Sequence, residues 1–121
     1  MSTETMLDLP YYPLPNQVGI KTSPIHGLGL FALKDIPQGI ELGITHIKHQ
    51  LFQNGWIRTP LGGFYNHCEN PNCFITDQLL EDDTSVKILV TLKHIPMDTE
   101  LTCKYSLWDI NSLLRHNLSL Q

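Results

Sequence analysis

The sequence has no long apolar run and no basic leader segment. No stretch approaches the roughly 20 consecutive apolar residues that a membrane-spanning helix needs. The first residues include acids and prolines, where a secretory signal would have a basic patch followed by an apolar block. We therefore expect an intracellular protein with no membrane association.

Clustered positive charge is also absent. The chain has 8 Lys and Arg against 12 Asp and Glu, a formal net charge of -4, and its basic residues are scattered. Contacts to nucleic-acid phosphates need clustered Lys and Arg, so no nucleic-acid partner is expected. An acidic surface would instead suit a lysine-rich peptide.

Cysteine is scarce. Cys68, Cys73 and Cys103 are an odd number, and no two of them form a Cys-x-x-Cys pair. The pattern favours neither a disulfide framework nor a zinc site, so we expect three reduced thiols. His46 and His49 lie three residues apart in a predicted strand, which places them on opposite faces and argues against a shared metal.

The residues that are present predict a small, turn-rich β protein. With 121 residues, 41% of them hydrophobic, the chain can form one domain with a small core. Short apolar or β-branched runs predict strands over residues 18–21, 29–33, 40–47, 86–92 and 101–105. The Asn54-Gly55 step predicts a hairpin, because both residues tolerate positive φ.

The two ends of the chain differ from this β region. Prolines punctuate the first residues, so an extended arm is predicted over 1–17 and the folded domain over 18–108. Residues 109–121 are predicted to form a short helix or tail, because Trp108, Leu113 and Leu114 fall on about one helical face.

A ten-residue pattern occurs twice. Residues 33–42 have the sequence LKDIPQGIEL, and residues 92–101 have the sequence LKHIPMDTEL. Pro37 and Pro96 preset φ for a turn, and the Glu-Leu step that follows begins the next strand. The repeat predicts two similar β-hairpins within one domain.

Two glycines lie where the second predicted strand begins. Without a Cβ, Gly27 and Gly29 would let the backbone approach a ligand closely or form a bulge. They do not form a dinucleotide-binding fingerprint, because the third glycine is missing and no helix begins at Phe31. Turn glycines without any ligand are an equally good interpretation of this pair.

An Asn-His pair lies in the middle of the chain, and residues 70–72 follow it with the sequence Asn-Pro-Asn. From residue type alone, Asn66 would cap a turn and His67 would fill a half-buried position. Tyr105, after Glu-Leu-Thr at residues 100–102, fits a strand tyrosine whose ring packs in the core and whose hydroxyl reaches the edge.

Taken together, these motifs resemble the SET-domain family of S-adenosylmethionine-dependent protein lysine methyltransferases. The matching elements, in the family's order and spacing, are HGLGLFA at 26–32, FYNHCENPNC at 64–73 and ELTCKY at 100–105. The likeness covers about residues 18–108 and is to the minimal, free-standing SET proteins of viruses and microbes. It implies a mostly β fold, the SET-domain β-clip of small sheets, with a pseudoknot and a short C-terminal helix.

The resemblance also implies roles for residues of this sequence. Tyr105 would be catalytic and would orient the lysine amine through weak oxygen contacts. Phe64, Tyr65 and Trp108 are candidates for the walls of the substrate channel, with Trp108 equally suited to a core anchor. The cofactor, S-adenosylmethionine, would be held by His26, Gly27, Leu28, Gly29, Leu30, Phe31, Asn66, His67 and Tyr105.

Some positions depart from the family pattern. Glu69 stands where zinc-binding relatives have a cysteine, and no cysteine follows Tyr105, so no zinc is expected. Residues 43–63 span only about twenty positions, where family members usually carry a longer insert that shapes the substrate groove. Lys104 replaces an aspartate that is common before the tyrosine.

The sequence thus predicts an enzyme that methylates a lysine side chain of a histone or another protein, with S-adenosylhomocysteine as product. The short insert favours an alternative, a catalytically idle SET-like module that binds a peptide or protein partner. A homodimer that completes the substrate site is also compatible with so small a domain.

Overall fold

A computed structural model describes residues 13–50 and 55–104. Within these ranges the chain forms eight strands and one short helix, so it is mostly β, as predicted. The elements are β1 (Val18–Thr22), β2 (Leu28–Ala32), β3 (Glu41–Lys48), β4 (Trp56–Arg58), α1 (Pro60–Gly63), β5 (Asn66–His67), β6 (Cys73–Leu79), β7 (Ser85–Thr91) and β8 (Glu100–Cys103).

The strands form two four-stranded sheets. Sheet 1 has the order β1-β2-β8-β5, and sheet 2 has the order β4-β3-β7-β6. Neighbouring strands are antiparallel, except that β5 and β8 are parallel. This parallel pair sets Asn66 opposite Thr102 and His67 opposite Cys103. The Asn-His motif and the Glu-Leu-Thr motif therefore lie side by side.

A hydrophobic core lies between the sheets. Leu30 and Leu101 of sheet 1 and Leu89 of sheet 2 belong to one cluster and are almost completely buried. Each such side chain contributes about 1.5–3 kcal/mol of stability relative to an exposed position. The core holds β2 against β8, and these two strands carry Leu28, Gly29 and Glu100 of the candidate site.

The prediction of two hairpins from the repeat was wrong. The strands that flank each turn lie in different sheets, β2 and β3 around the first turn and β7 and β8 around the second. The two copies pair with each other instead. Ile36 and Ile95 exchange N–H···O bonds of 2.8 Å in both directions, and the turn amides of Gly39 and Asp98 donate to the residue just before the opposite copy, to Thr91 O and Ala32 O.

This cross-pairing explains the repeat. Gly39 and Asp98 occupy equivalent turn positions and both have positive φ, 79° and 69°. Ile36 and Ile95 are buried, so each copy places an apolar side chain in the same core. The strand that follows each turn belongs to the other sheet, so it cannot pair with the strand before the turn. The backbone groups of each turn therefore make their hydrogen bonds with the other copy or the residue just before it.

Most of the predicted strands are confirmed. Strands β1, β2, β3, β7 and β8 begin and end within two residues of the predicted bounds in the described part of the chain. β3 and β4 are antiparallel neighbours, and His49 N–H donates a 2.8 Å bond to Gly55 O, but the register pairs Lys48 with Trp56, so the connection is longer than the predicted two-residue Asn54-Gly55 turn. Asn54 and the predicted helix over 109–121 lie outside the described residues.

Three elements were not predicted, namely the two-residue strand β5, β6 and α1. β6 pairs with β7 along its full length, although CFITDQL does not alternate cleanly between apolar and polar residues. α1 begins after Thr59, whose hydroxyl accepts a bond from Gly62 N–H, and Pro60 occupies its first turn. With four residues α1 is short, and the described part of the chain contains no helix that is long and apolar enough to cross a membrane.

Candidate functional site

Asn66 is the centre of a buried polar cluster. It opens β5 and is only 6% exposed. Its side-chain Nδ2 lies 3.1 Å from His26 O, 3.2 Å from Leu28 O and 2.8 Å from Glu100 Oε2. The first motif, the Asn-His motif and β8 therefore meet at one amide group.

The Glu100 carboxylate is held from a second side. The Ser23 hydroxyl lies 2.8 and 2.9 Å from its two oxygens and accepts a 2.9 Å bond from Ile25 N–H. Ser23 is buried, so the turn before β2 is tied to β8 away from bulk water. Neither Ser23 nor Glu100 was predicted as a site residue from the sequence.

Gly29 is where these groups come closest to the backbone of β2. A Cβ at this position would overlap Glu100 Oε2 and come within 3.1 Å of Asn66 Nδ2. Glycine is therefore required for the Glu100–Asn66 contact beside the strand. Gly27 differs, because it has a φ of 46° and open space where a Cβ would stand.

The other residues of the first motif divide between the site and the core. The carbonyls of His26 and Leu28 belong to the cluster, and both side chains are exposed. Leu30 is 0% exposed and packs in the core, while Phe31 lies under Lys21 Nζ at 5.9 Å. The structure thus brings the main chain of residues 26–29 to Asn66, but not the side chains of all six predicted residues.

His67 leads into a surface charge cluster. Its Nε2 lies 3.1 Å from Glu69 Oε1, and Lys104 Nζ lies 3.4 Å from Glu69 Oε2. These hydrogen bonds, first that of His67 and then that of Lys104, lower the pKa of the Glu69 carboxyl. Glu69 is therefore an ion-pair partner of both residues.

Asn72 fastens the end of the Asn-His loop to β8. Its Oδ1 accepts a 2.8 Å bond from Thr102 N–H, and its Nδ2 donates a 2.8 Å bond to Glu100 O. The Asn72 side chain thus makes two hydrogen bonds to the β8 main chain, one on each side of Leu101, that a neighbouring strand would otherwise make. Sequence reasoning placed Asn72 in a turn and missed this role.

The predicted channel residues lie partly within the described chain. Tyr65 is 7% exposed and lines a cavity of about 360 Å³ that Lys104 also lines. Phe64 is half-buried and packs against the core. Tyr105 and Trp108 lie outside the described residues, although Lys104, at the rim of this cavity, directly precedes Tyr105.

The three thiols differ in exposure, and this predicts different reactivity. Cys73 and Cys103 are buried and Cys68 is half-buried. Burial raises the pKa of the Cys73 thiol from 9.0 to about 12. At pH 8 we expect iodoacetamide to modify Cys68 at least tenfold faster than Cys73, since the thiolate is the nucleophile. Mass-spectrometric peptide mapping over time, with urea-unfolded protein as the control in which all three react, measures the rate at each cysteine; equal native rates would contradict the prediction.

The described residues offer no obvious metal site. Within 13–50 and 55–104, no group of three or more His, Cys, Asp or Glu side chains lies close enough together to hold a metal ion. The polar groups that do converge, around Asn66, are an amide, main-chain carbonyls, a hydroxyl and a carboxylate. This set suits an organic cation with hydrogen-bond donors.

Comparisons with known proteins agree with the motifs. A family model described as the SET domain matches residues 45–106, just over half of the chain. Among solved structures, a proposed histone methyltransferase of Plasmodium falciparum shares the fold, with a TM-score of 0.63 at 20% identity over 75% of this chain and 94% of that one. No curated protein matches the chain at a significant level.

Proposed function

Because this chain belongs to the SET-domain family, we propose that it transfers a methyl group from S-adenosylmethionine to a lysine side chain of a histone or another protein. The observation that supports this best is the Asn66 cluster. Three motifs that are far apart in sequence meet there at one buried amide, which lies within hydrogen-bond distance of three acceptors. Fixed, buried polar groups of this kind are what a binding site needs.

The Asn66 cluster fits the amino-acid end of the cofactor. All three contacts are made by Nδ2, so the amide oxygen Oδ1 points away from Glu100 and can accept a bond from an ammonium group. The carbonyls of His26 and Leu28 and the Glu100 carboxylate add negative potential nearby, which favours a cation. The absence of a Cβ at Gly29 leaves the position that the Glu100 carboxylate occupies beside Asn66.

The parallel pairing of β5 with β8 supports the remaining assignments. It fixes the main chain of His67 beside Cys103, where it would hold the adenine end of the cofactor. Asn72 then closes the loop onto β8. The threaded pseudoknot stays a prediction that these contacts favour, since β8 lies against both ends of the segment 66–72.

When bound, the cofactor supplies an electrophilic methyl group for transfer to an amine. The protein must then align the substrate lysine and admit it without its proton. A free lysine has a pKa near 10.4, and an apolar channel lowers that value by disfavouring the charged form. The cavity beside Tyr65 would form part of this channel, and Tyr105 would orient the amine, so that alignment provides most of the rate gain.

Calorimetric titration with S-adenosylmethionine tests the cofactor site. We expect the wild type to bind and Asn66→Ala to bind at least tenfold more weakly, because the substitution removes an acceptor and leaves Glu100 with one donor fewer. Asn70→Ala is the matched control, since Asn70 is exposed in the same loop. A wild type that does not bind would overturn the proposal.

A second test concerns turnover. Tyr105→Phe should reduce methyl transfer to lysine-rich proteins at least tenfold and leave cofactor affinity within about threefold, because only the oxygen contacts that orient the amine are lost. Transfer is measured with radiolabelled cofactor and affinity by calorimetry. Unchanged turnover would remove Tyr105 from the catalytic role. Cofactor binding by a wild type that methylates no protein would instead identify the idle module.

A further inference from the structure

Ser23 is a buried polar residue in the turn between β1 and β2. It is 9% exposed, although its neighbours Thr22 and Pro24 are exposed. Its N–H donates a 2.8 Å bond to Gly27 O, which closes the turn. Serine is mostly exposed in proteins, and a buried polar side chain is normally held by hydrogen bonds. The hydrogen bonds of the Ser23 hydroxyl therefore indicate what this side chain does.

Two main-chain amides fix the direction of the Ser23 hydroxyl. The amide nitrogens of Ile25 and His26 lie 2.9 and 3.4 Å from Ser23 Oγ. A main-chain N–H can only donate, so Oγ accepts from both amides. The single hydroxyl proton is then left for Glu100, whose two carboxylate oxygens lie 2.8 and 2.9 Å from Oγ. Ser23 thus holds the carboxylate from the side of the turn.

Glu100 passes this constraint to Asn66. Its Oε2 lies 2.8 Å from Asn66 Nδ2, whereas the carbonyl oxygens of His26 and Leu28 lie 3.1 and 3.2 Å from the same nitrogen. The amide nitrogen has two protons for these three acceptors. A hydrogen bond to a carboxylate is shorter and roughly twice as strong as one between neutral groups. Glu100 therefore contributes most to the orientation of the amide.

This orientation has a consequence on the opposite side of Asn66. Because Nδ2 faces the acceptors, Oδ1 points away from Glu100. Hydrogen bonds in a chain polarise one another, so the bond to the carboxylate shifts electron density of the amide towards Oδ1. The negative charge of Glu100 also lies behind the amide and attracts cations. Both effects favour an ammonium group over an uncharged group as the partner of Oδ1.

We propose that Ser23 and Glu100 are positioning residues that make the Asn66 amide selective for a ligand with an ammonium group. They act through Asn66 and need no contact with the ligand. Neither was predicted as a site residue, and Ser23 lies outside the three motifs. The selectivity rests on the proposed function, because S-adenosylmethionine supplies the ammonium group. The orientation of the amide in the free protein does not rest on it.

Two ligands that differ in one group test the selectivity. The first is S-adenosylhomocysteine, and the second is its analogue in which hydrogen replaces the α-ammonium group. By calorimetric titration, Glu100→Gln should bind the first at least tenfold more weakly than the wild type does and the second within about twofold. Ser23→Ala should show the same selectivity with a loss of at least fivefold, because the carboxylate is then held from one side only.

The chain offers a matched control for each variant. Glu41 occupies the position of Glu100 in the other copy of the repeat and is exposed, so Glu41→Gln should bind both ligands like the wild type. Thr22→Ala removes an exposed hydroxyl next to Ser23 and should also have no effect. A loss of equal size for the two ligands, or no loss in Glu100→Gln, would overturn the selectivity while the cofactor proposal stood. A wild type that bound neither ligand would overturn both.

The orientation of the amide is tested in the free protein. In nuclear magnetic resonance spectra, the side-chain NH₂ signals of Asn66 are assigned by their loss in Asn66→Ala. Exchange of these protons with water should be at least tenfold faster in Ser23→Ala than in the wild type, since the carboxylate that holds them is released. Ser23→Thr keeps the hydroxyl and should restore slow exchange. Equal exchange rates in the wild type and a folded Ser23→Ala would overturn the role of Ser23.

Discussion

Gly29→Ala should lower the affinity for S-adenosylmethionine about 100-fold, which corresponds to about 2.7 kcal/mol. The new Cβ would occupy the position of Glu100 Oε2 and crowd Asn66 Nδ2. The carboxylate would have to move, and it would take with it the 2.8 Å bond that orients the Asn66 amide. The free energy of unfolding should fall by about 2 kcal/mol, as for other overpacked sites.

The control for this experiment lies in the neighbouring strand. Gly19→Ala places the same methyl group 2.9 Å from Leu33 Cδ2, the far end of a side chain that is 44% exposed and can rotate away. It should change cofactor affinity less than threefold, measured by the same calorimetric titration. If Gly29→Ala bound like Gly19→Ala while folded, the contact between Glu100 and Asn66 would not shape the cofactor site.

The strands of the core could be predicted because their pattern is local. β7 has the sequence SVKILVT, in which β-branched and apolar residues exceed what a loop would carry. The Asn54-Gly55 step indicated that the chain turns back after β3, but the pairing of Lys48 with Trp56 shows that it did not predict the register. β6 was not predicted, because its stability comes from pairing with β7 along seven residues. The alternation of apolar and polar residues within one strand does not reveal such pairing.

The candidate site was predictable only in part. Asn66 was assigned through a family likeness, and its buried position beside the first motif is consistent with that assignment. Glu100 was interpreted only as the residue that restarts a strand, because Glu41 occupies the same position in the other copy of the repeat, and the structure leaves Glu41 exposed. What distinguishes Glu100 is contact with Ser23, 77 residues earlier in the chain. No spacing rule within one segment contains that information.

The repeat shows the same limit. Pro37 and Pro96 correctly indicated two turns, but a turn does not determine which strand will pair with the residues after it. Here the partner of each copy is the other copy, through Ile36 and Ile95. Pairing between segments far apart is decided by burial of both isoleucines in one core, which is a property of the assembled fold.

Asn72→Ala should be the most destabilising polar substitution in the loop after Asn66, at about 3 kcal/mol. The change leaves Thr102 N–H and Glu100 O without the side-chain partners that now lie at 2.8 Å. Each lost partner of a partly buried backbone group costs about 1–3 kcal/mol. Because Glu100 is one of the two residues released, cofactor affinity should fall as well.

Urea unfolding of Asn72→Ala beside Asn70→Ala measures the effect. Asn70 lies two residues earlier and is exposed, so its alanine variant should stay within about 0.5 kcal/mol of the wild type. Asn72→Asp keeps the acceptor for Thr102 N–H but turns a carboxylate towards Glu100 O, so its stability should lie between those of the two alanine variants. If the two alanine variants unfolded at the same urea concentration, the bonds from Asn72 would not be what holds the Asn-His loop against β8, and the rigidity of Asn66 would need another source.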